Sequence, residues 1–326
     1  MRLLLADAAR TVKASNSSAD PTPGMRHSQE RQSERQLYLP SKPNSVRFAV
    51  IGDSGTGESK QYEVAEEMAA YRREFPFDFV TMLGDNIYGG HAEADFRAKF
   101  EEPYKALLQA GVKFYASLGN HDDPNERYYK FFNMDGRRYY TYGKGNVRFF
   151  ALDSNYMDPK QLDWLEEELH RSGSQWKICY FHHPLYSDGK FHGADTDLRA
   201  RLQPLFLKYG VNVVLSGHEH IYERLKARDG IYYFVLGNTG ELRHNGLRRS
   251  DQTAAGFDAD RSFMLVEISG DRFYFQTVSR RGETVDHGML ERQTSPARSA
   301  RVKPWHLPTV GTPGFSSGLW PHQPRQ

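Results

Sequence analysis

Apolar residues gather in short runs along this chain, and five of those runs stop at a polar cluster. Residues 46–51 end in Gly52-Asp53, residues 77–83 in Gly84-Asp85, and residues 112–118 in Gly119-Asn120-His121. Farther on, residues 176–181 run into His182-His183, and residues 211–215 into Gly217-His218-Glu219-His220. Apolar runs of this length, punctuated by glycine, predict buried strands. Between them the spacing turns helical. Residues 58–73 carry Tyr62, Ala65, Met68 and Ala69 on one face, and residues 92–109 predict a helix broken at Pro103. Asp158 and Pro159 open a predicted helix over 159–170, and another spans 195–209. Residues 138–142 and 147–152 flank a turn at 143–146, as a hairpin does. Residues 231–236, 262–268 and 273–277 predict three more strands. This order, βαβα first and mostly β later, predicts an α/β domain whose sheets are layered inside helices.

The flanks differ from that block. Residues 1–44 are rich in Ser, Pro, Gln and Arg, without a sustained apolar period, and read as a disordered N-terminal extension. Residues 293–326 read as a proline-rich tail. Residues 45–292 form the expected catalytic domain. Near the start, Leu3, Leu4 and Leu5 fall short of the roughly 7–15 apolar residues of a secretory h-region. No run approaches the roughly 20 apolar residues that span a bilayer. With 43 basic and 41 acidic residues and a net charge of +2, the chain lacks the basic excess of a nucleic-acid binder. Cys179 is the one cysteine, so no disulfide forms within the chain, and its apolar neighbours make it a buried small hydrophobe.

The chemistry lies where the strands end. In open α/β sheets, ligands bind beyond the carboxyl ends of the strands. The clusters at Asp53, Asp85, Asn120-His121, His182-His183 and His218-Glu219-His220 therefore converge, although they are far apart in sequence. Any one of these residues has an ordinary alternative, such as an aspartate capping a helix or a solvated histidine. Five polar clusters at five strand ends are a different matter. Carboxylate and imidazole together suit Zn, Fe, Mn or Ni rather than Ca. The stretch Gly52-Asp53-Ser54-Gly55-Thr56-Gly57 is glycine-rich but lacks the Gly-Lys-Ser/Thr ending of a phosphate loop. Tyr222, Arg224, Asn238 and Arg243 are either pocket-lining or structural, and Arg137-Arg138 and Arg248-Arg249 read as solvated charge.

In order, Gly52-Asp53-Ser54-Gly55, Gly84-Asp85-Asn86-Ile87-Tyr88, Gly119-Asn120-His121-Asp122, Phe181-His182-His183-Pro184 and Gly217-His218-Glu219-His220 resemble the five signature blocks of the calcineurin-like metallophosphoesterases. The nearest likeness is to the purple acid phosphatases of the small, tartrate-resistant type, over about residues 46–280. The resemblance implies a layered β-sandwich flanked by helices, α/β/β/α. It implies Fe(III) held by Asp53, Asp85, Tyr88 and His220, and Fe(II), Zn or Mn held by Asp85, Asn120, His182 and His218. Asp85 would bridge the two ions, and His121 and His192 would contact the phosphate. His183 is the alternative to His182. Most of the superfamily has Asp-x-His in the first block, whereas Gly55 stands here in place of that histidine. Tyr88 would then supply the missing ligand as a phenolate, the source of the family's colour.

Such a site would hydrolyse phosphomonoesters by attack of a metal-bound hydroxide. Two cations about 3.5–4 Å apart offset the negative charge that protects phosphorus and lower the pKa of bound water. His121 and His192 would protonate the departing alkoxide, with Asp122 expected to orient His121. The substrate is then a small phosphorylated molecule. Alternatives are a phosphodiesterase or nucleotide phosphatase on the same centre, or an inactive metal-binding module that docks a partner. The resemblance suggests a secreted or periplasmic protein, which this N-terminus does not itself indicate.

Overall fold

Strand β1 (Val46–Ile51) is covered on both faces, so it reads as a continuous apolar run rather than an alternation. The computed structural model describes residues 36–173 and 175–293. The predicted extension over 1–44 lies mostly outside the described residues, as does all but the first residue of the tail. Of the extension, residues 36–44 are described and join the domain: Leu39 is buried, and the Tyr38 amide donates to Gln276 Oε1 at 2.9 Å.

Two sheets form the centre. In the first, β2 (Phe79–Leu83) and β3 (Lys113–Ser117) run parallel to β1, and β11 (Ser262–Ser269), β12 (Arg272–Ser279) and β13 (Thr284–Glu291) complete the order β13-β12-β11-β1-β2-β3. In the second, β5 (Val147–Ala151), β6 (Trp176–Tyr180), β7 (Val213–Ser216) and β9 (Tyr232–Leu236) are parallel neighbours. Antiparallel β4 (Tyr140–Lys144), β8 (Tyr222–Leu225) and β10 (Thr253–Phe257) give the order β10-β8-β9-β7-β6-β5-β4.

The period of two divides the second sheet's side chains between two cores. Phe149, Ala151, Ile178, Tyr180, Val213 and Leu215 face the first sheet. Their chain neighbours Phe150, Leu152, Cys179, Phe181 and Val214 face the other way, against helices α4 (Pro159–Arg171) and α5 (Thr196–Tyr209). Cys179 is thus the buried hydrophobe that the sequence implies. Helix α1 (Ser59–Glu74) packs Val64, Met68 and Tyr71 on the first core. The architecture is the expected pair of mixed sheets flanked by helices.

The predicted starts of α4 and α5 hold for a stated reason: Asp158 Oδ1 accepts from the Gln161 amide and Asp195 Oδ1 from the Leu198 amide, at 2.8 and 2.9 Å. The predicted helix over 92–109 is instead α2 (Glu93–Phe96), a π turn at Arg97–Glu101, and α3 (Lys105–Gln109), separated at Pro103. Strands β8, β10 and β13 escape the sequence reading. The last is at an edge, with polar residues interleaved along its half-exposed length, so its apolar signal is weak. No described helix is long and apolar enough to cross a membrane.

Candidate metal centre

The parallel strands of both sheets end at the same place. Asp53 follows β1, Asp85 follows β2, Asn120 follows β3, His182 follows β6, and His218 and His220 follow β7. The turns that carry them are strained. Asp53, Asp85 and His218 have φ values of 53°, 50° and 69°, a left-handed region that non-glycine residues seldom occupy. Strain of this kind persists where the surroundings hold it, and it collects at functional sites. The glycines beside them leave room for carboxylates. A Cβ on Gly119 would collide with the Asp85 carboxylate, and one on Gly217 with that of Asp53. That is the physical content of the Gly119-Asn120 and Gly217-His218 pairs.

Two groups of donors result. Asp53, Asp85 and His220 offer atoms that all lie within 4.8 Å of one another, and so do His182, His183 and His218. Tyr88 joins the first group: its hydroxyl is 3.3 Å from both Asp53 Oδ1 and His220 Nε2. Asn120 joins the second, with Oδ1 3.0 Å from His182 Nε2. Asp85 lies between them, its Oδ1 3.4 Å from His182 Nε2. The structure therefore brings together all seven residues expected to hold metal.

The adjacent histidines are used differently. His182 is fully buried, and its Nδ1 lies 2.9 Å from the Leu83 carbonyl, which can only accept. Nδ1 therefore carries the proton, and Nε2 presents a lone pair to Asn120, Asp85 and His218. His183 instead sets Nδ1 against Ser154 Oγ at 2.8 Å. His121 and His192 are exposed at the rim, the first with its ring 4.9 Å from Tyr88 and the second 4.1 Å from His218.

Electrostatics fit a cation. Burial, reinforced by Asp85, pushes the Asp53 carboxyl well up, and burial likewise raises Asp85. Burial and the two aspartates raise the Tyr88 phenol. Burial pushes His182 far down and holds His218 at about 2, so these imidazoles are neutral donors. Within the described residues, the ion pairs of Asp53 and Asp85 involve only His220 and His182, and no lysine or arginine. Two buried carboxylates beside a tyrosine and four neutral imidazoles are costly unless a positive ion joins them. The mixed oxygen and nitrogen set suits a transition metal or zinc.

Asp122 departs from its expected role. Its Oδ1 accepts from the amides of Asn86 and Ile87, and its Oδ2 from Asn86 Nδ2 and the Gly119 amide, all at 2.7–3.1 Å. Both oxygens are thus committed to the backbone, and Asp122 ties the loop after β2 to the loop after β3 instead of orienting His121. The other weak readings resolve as structure. Tyr222 and Arg224 both bind Asp286, and Asn238 binds Ser262. Arg138 is not solvated charge, since its Nη1 pairs with buried Asp153 at 2.7 Å.

Glu219 is the residue that sequence reasoning passed over. Its side chain is fully buried, and Oε1 accepts from the backbone amides of His192 and Gly193. It so pins the loop that carries His192 over His218. The signal was an acid between two candidate ligands with no stated task. Glu219→Ala leaves two amides without an acceptor and is expected to cost about 2–6 kcal/mol, at 1–3 for each unpaired group. Glu219→Gln keeps an acceptor oxygen and retains most of that stability. Thermal melts with amide exchange across residues 189–193 check it: exchange unchanged in Glu219→Ala would refute the pinning.

Comparison with known proteins bears on the whole arrangement. The family described as calcineurin-like phosphoesterase matches residues 46–222. Purple acid phosphatase 17 of Arabidopsis thaliana is 27% identical over 251 residues, covering 65% of this chain and 74% of that protein. Tartrate-resistant acid phosphatase type 5 of the rabbit, Oryctolagus cuniculus, is 27% identical over 236 residues, or 59% of this chain and 72% of its own. In fold, a purple acid phosphatase from yellow lupin (Lupinus luteus) seeds superposes with a TM-score of 0.65 at 17% identity, over 82% of this chain and 58% of that one. GAP50, described as the anchor in the inner membrane complex of Plasmodium, does so with a TM-score of 0.68 at 18% identity, over 83% and 99%. The matched span runs from β1 to just beyond His220 and contains every donor of both groups, and the chain belongs to the calcineurin-like phosphoesterase family.

Proposed function

We propose that this protein hydrolyses phosphomonoesters at a dinuclear Fe(III)–M(II) centre, as an acid phosphatase. Asp53, Asp85, Tyr88 and His220 would hold the ferric ion; Asp85, Asn120, His182 and His218 would hold Fe(II), Zn or Mn. The observation that carries the reading is the Tyr88 hydroxyl, 3.3 Å from both Asp53 and His220, where no lysine or arginine among the described residues pairs with Asp53 or Asp85. A phenolate is a hard anionic oxygen donor, suited to a trivalent ion. When bound, the two ions would supply Lewis acidity toward the phosphate oxygens and a water of lowered pKa.

The chain's own residues do the rest. Leu83 fixes the His182 tautomer, so that Nε2 stays available. Asp85 Oδ1 accepts from the His121 amide at 3.0 Å, which ties the Asp85 carboxylate, placed between the two donor groups, to the loop of the proposed proton donor. His121 and His192 flank the two donor groups from the exposed side, where a leaving group would depart. His182 is preferred to His183 because its Nε2 faces Asn120 Oδ1 and Asp85 Oδ1, at 3.0 and 3.4 Å.

The test is spectroscopic. Protein loaded with ferric iron is expected to be violet, and Tyr88→Phe to remove the visible band while both aspartates still bind metal. A colourless, zinc-only protein with full activity on p-nitrophenyl phosphate would overturn the Fe(III) assignment.

A further inference from the structure

A wide groove lies apart from the metal donors. It encloses about 930 Å³ beside β4 and α4, and five cations, Arg127, Arg137, Arg138, Arg148 and Lys160, line it against two carboxylates, Asp158 and Glu168. Some of that charge is already engaged: Arg138 pairs with Asp153 and Asp158, and Arg148 Nη2 with Glu168 at 3.2 Å. Arg137 and Lys160 are exposed, and their side chains have no ion-pair or hydrogen-bond partner among the described residues. Arg148 Nε is buried and also lacks an acceptor. An unmatched cation set in a groove attracts an anion.

The backbone narrows the class of anion. β4 is the last strand of its sheet and pairs only with β5, and Tyr140 and Thr141 of β4 line the groove. The main-chain groups on its outer side are therefore open to another strand. Sheet edges of this kind take up extended peptides, with the main chain giving affinity and alternate side chains giving specificity. Trp164 also lines the groove, tilted at 51° against Tyr139 with ring centroids 4.9 Å apart, an aromatic surface against which a peptide can lie.

We infer that this groove binds an extended acidic polypeptide segment of a partner protein, added as a strand along β4 with its carboxylates on Arg137, Lys160 and Arg148. The surface is separate from the metal donors, so the inference stands or falls independently of the hydrolase reading.

The probe is a fluorescein-labelled peptide of five Thr-Glu repeats, titrated by anisotropy against the full-length protein in low salt. Binding is expected, with Arg137→Glu/Lys160→Glu weakening it by about tenfold or more, because each reversal exchanges an attraction for a repulsion. Lys105→Glu/Lys113→Glu changes net charge equally at exposed positions outside the groove and is expected to stay within about twofold. The same peptide N-methylated at alternate residues keeps its charge but loses main-chain donors, and is expected to bind about tenfold more weakly. Arg137→Ala/Lys160→Ala gives a smaller loss in the same direction and covers the case in which the reversal disturbs folding. No binding of the peptide, equal losses in the Lys105/Lys113 variant, or unchanged binding of the N-methylated peptide would each overturn the inference. Inorganic polyphosphate that binds through Arg137 and Lys160 where the peptide does not would also overturn it, assigning the groove to another polyanion.

Discussion

Asp85→Asn is expected to strip metal from the protein and to lower kcat on p-nitrophenyl phosphate by at least about a thousandfold. Bound cations contribute several kcal/mol of charge stabilisation to phosphoryl transfer, and each 1.4 kcal/mol is tenfold in rate. Asp85 is the residue whose loss touches both donor groups: it lies with Asp53 and His220 in one, and its Oδ1 approaches His182 of the other at 3.4 Å. Asparagine keeps the shape and an acceptor for the His121 amide, but it removes the charge and turns an N–H toward one of the two donor groups. The stability effect separates this role from a merely structural one, because its sign depends on metal. Without metal, Asp53 and Asp85 are buried like charges, each unfavourable to the other. The metal-free variant should therefore melt at or above the metal-free parent. The loaded parent should melt well above the loaded variant, since ligand bound only to the folded state adds stability. Atomic absorption, turnover and paired melts read all of this; a variant with normal metal content and turnover would refute the two-ion site.

His121→Ala should retain both metals and lose about a hundredfold or more in kcat, the usual scale of a positioned general acid. The His121 ring is exposed and lies 4.9 Å from Tyr88, beside the first donor group rather than in it. Its main-chain amide, not its ring, donates to Asp85, and alanine preserves that bond. The loss should grow with the basicity of the leaving group, because a poor alkoxide needs the proton more than a nitrophenolate does. A loss that is equal for alkyl and nitrophenyl phosphates would remove His121 from the proton-transfer step. Loss of metal would make it a ligand.

These expectations rest on residues that differ in how openly the chain displays them. Asp53, Asp85, Asn120, His182, His218 and His220 each end an apolar run, and the C-terminal ends of parallel strands share one edge of a sheet. Periodicity and that one rule of fold geometry suffice to gather them. Tyr88 is legible through the missing histidine at Gly55. Asp122 and Glu219 were not legible, although each is adjacent to such a cluster. Apart from Asn86 Nδ2, their partners are main-chain amides, and an amide leaves no mark on the identity of its residue. Arg138 is not legible for a related reason: its partner Asp153 is 15 residues away, just past the end of β5.

The sequence by itself determined most of the strand and helix order, the buried nature of Cys179, and the polar clusters at the strand ends, because burial and periodicity are local properties of residue type. Tertiary structure decided what depends on direction and proximity. It aimed His182 Nε2 at Asn120 and Asp85 while Ser154 took His183 Nδ1. It set Asp122 and Glu219 to clamp loops, and it left the outer side of β4 open beside five cations. Hydrogen bonds and charges act over a few ångströms through space, and only the folded chain brings residues so distant in sequence within that range.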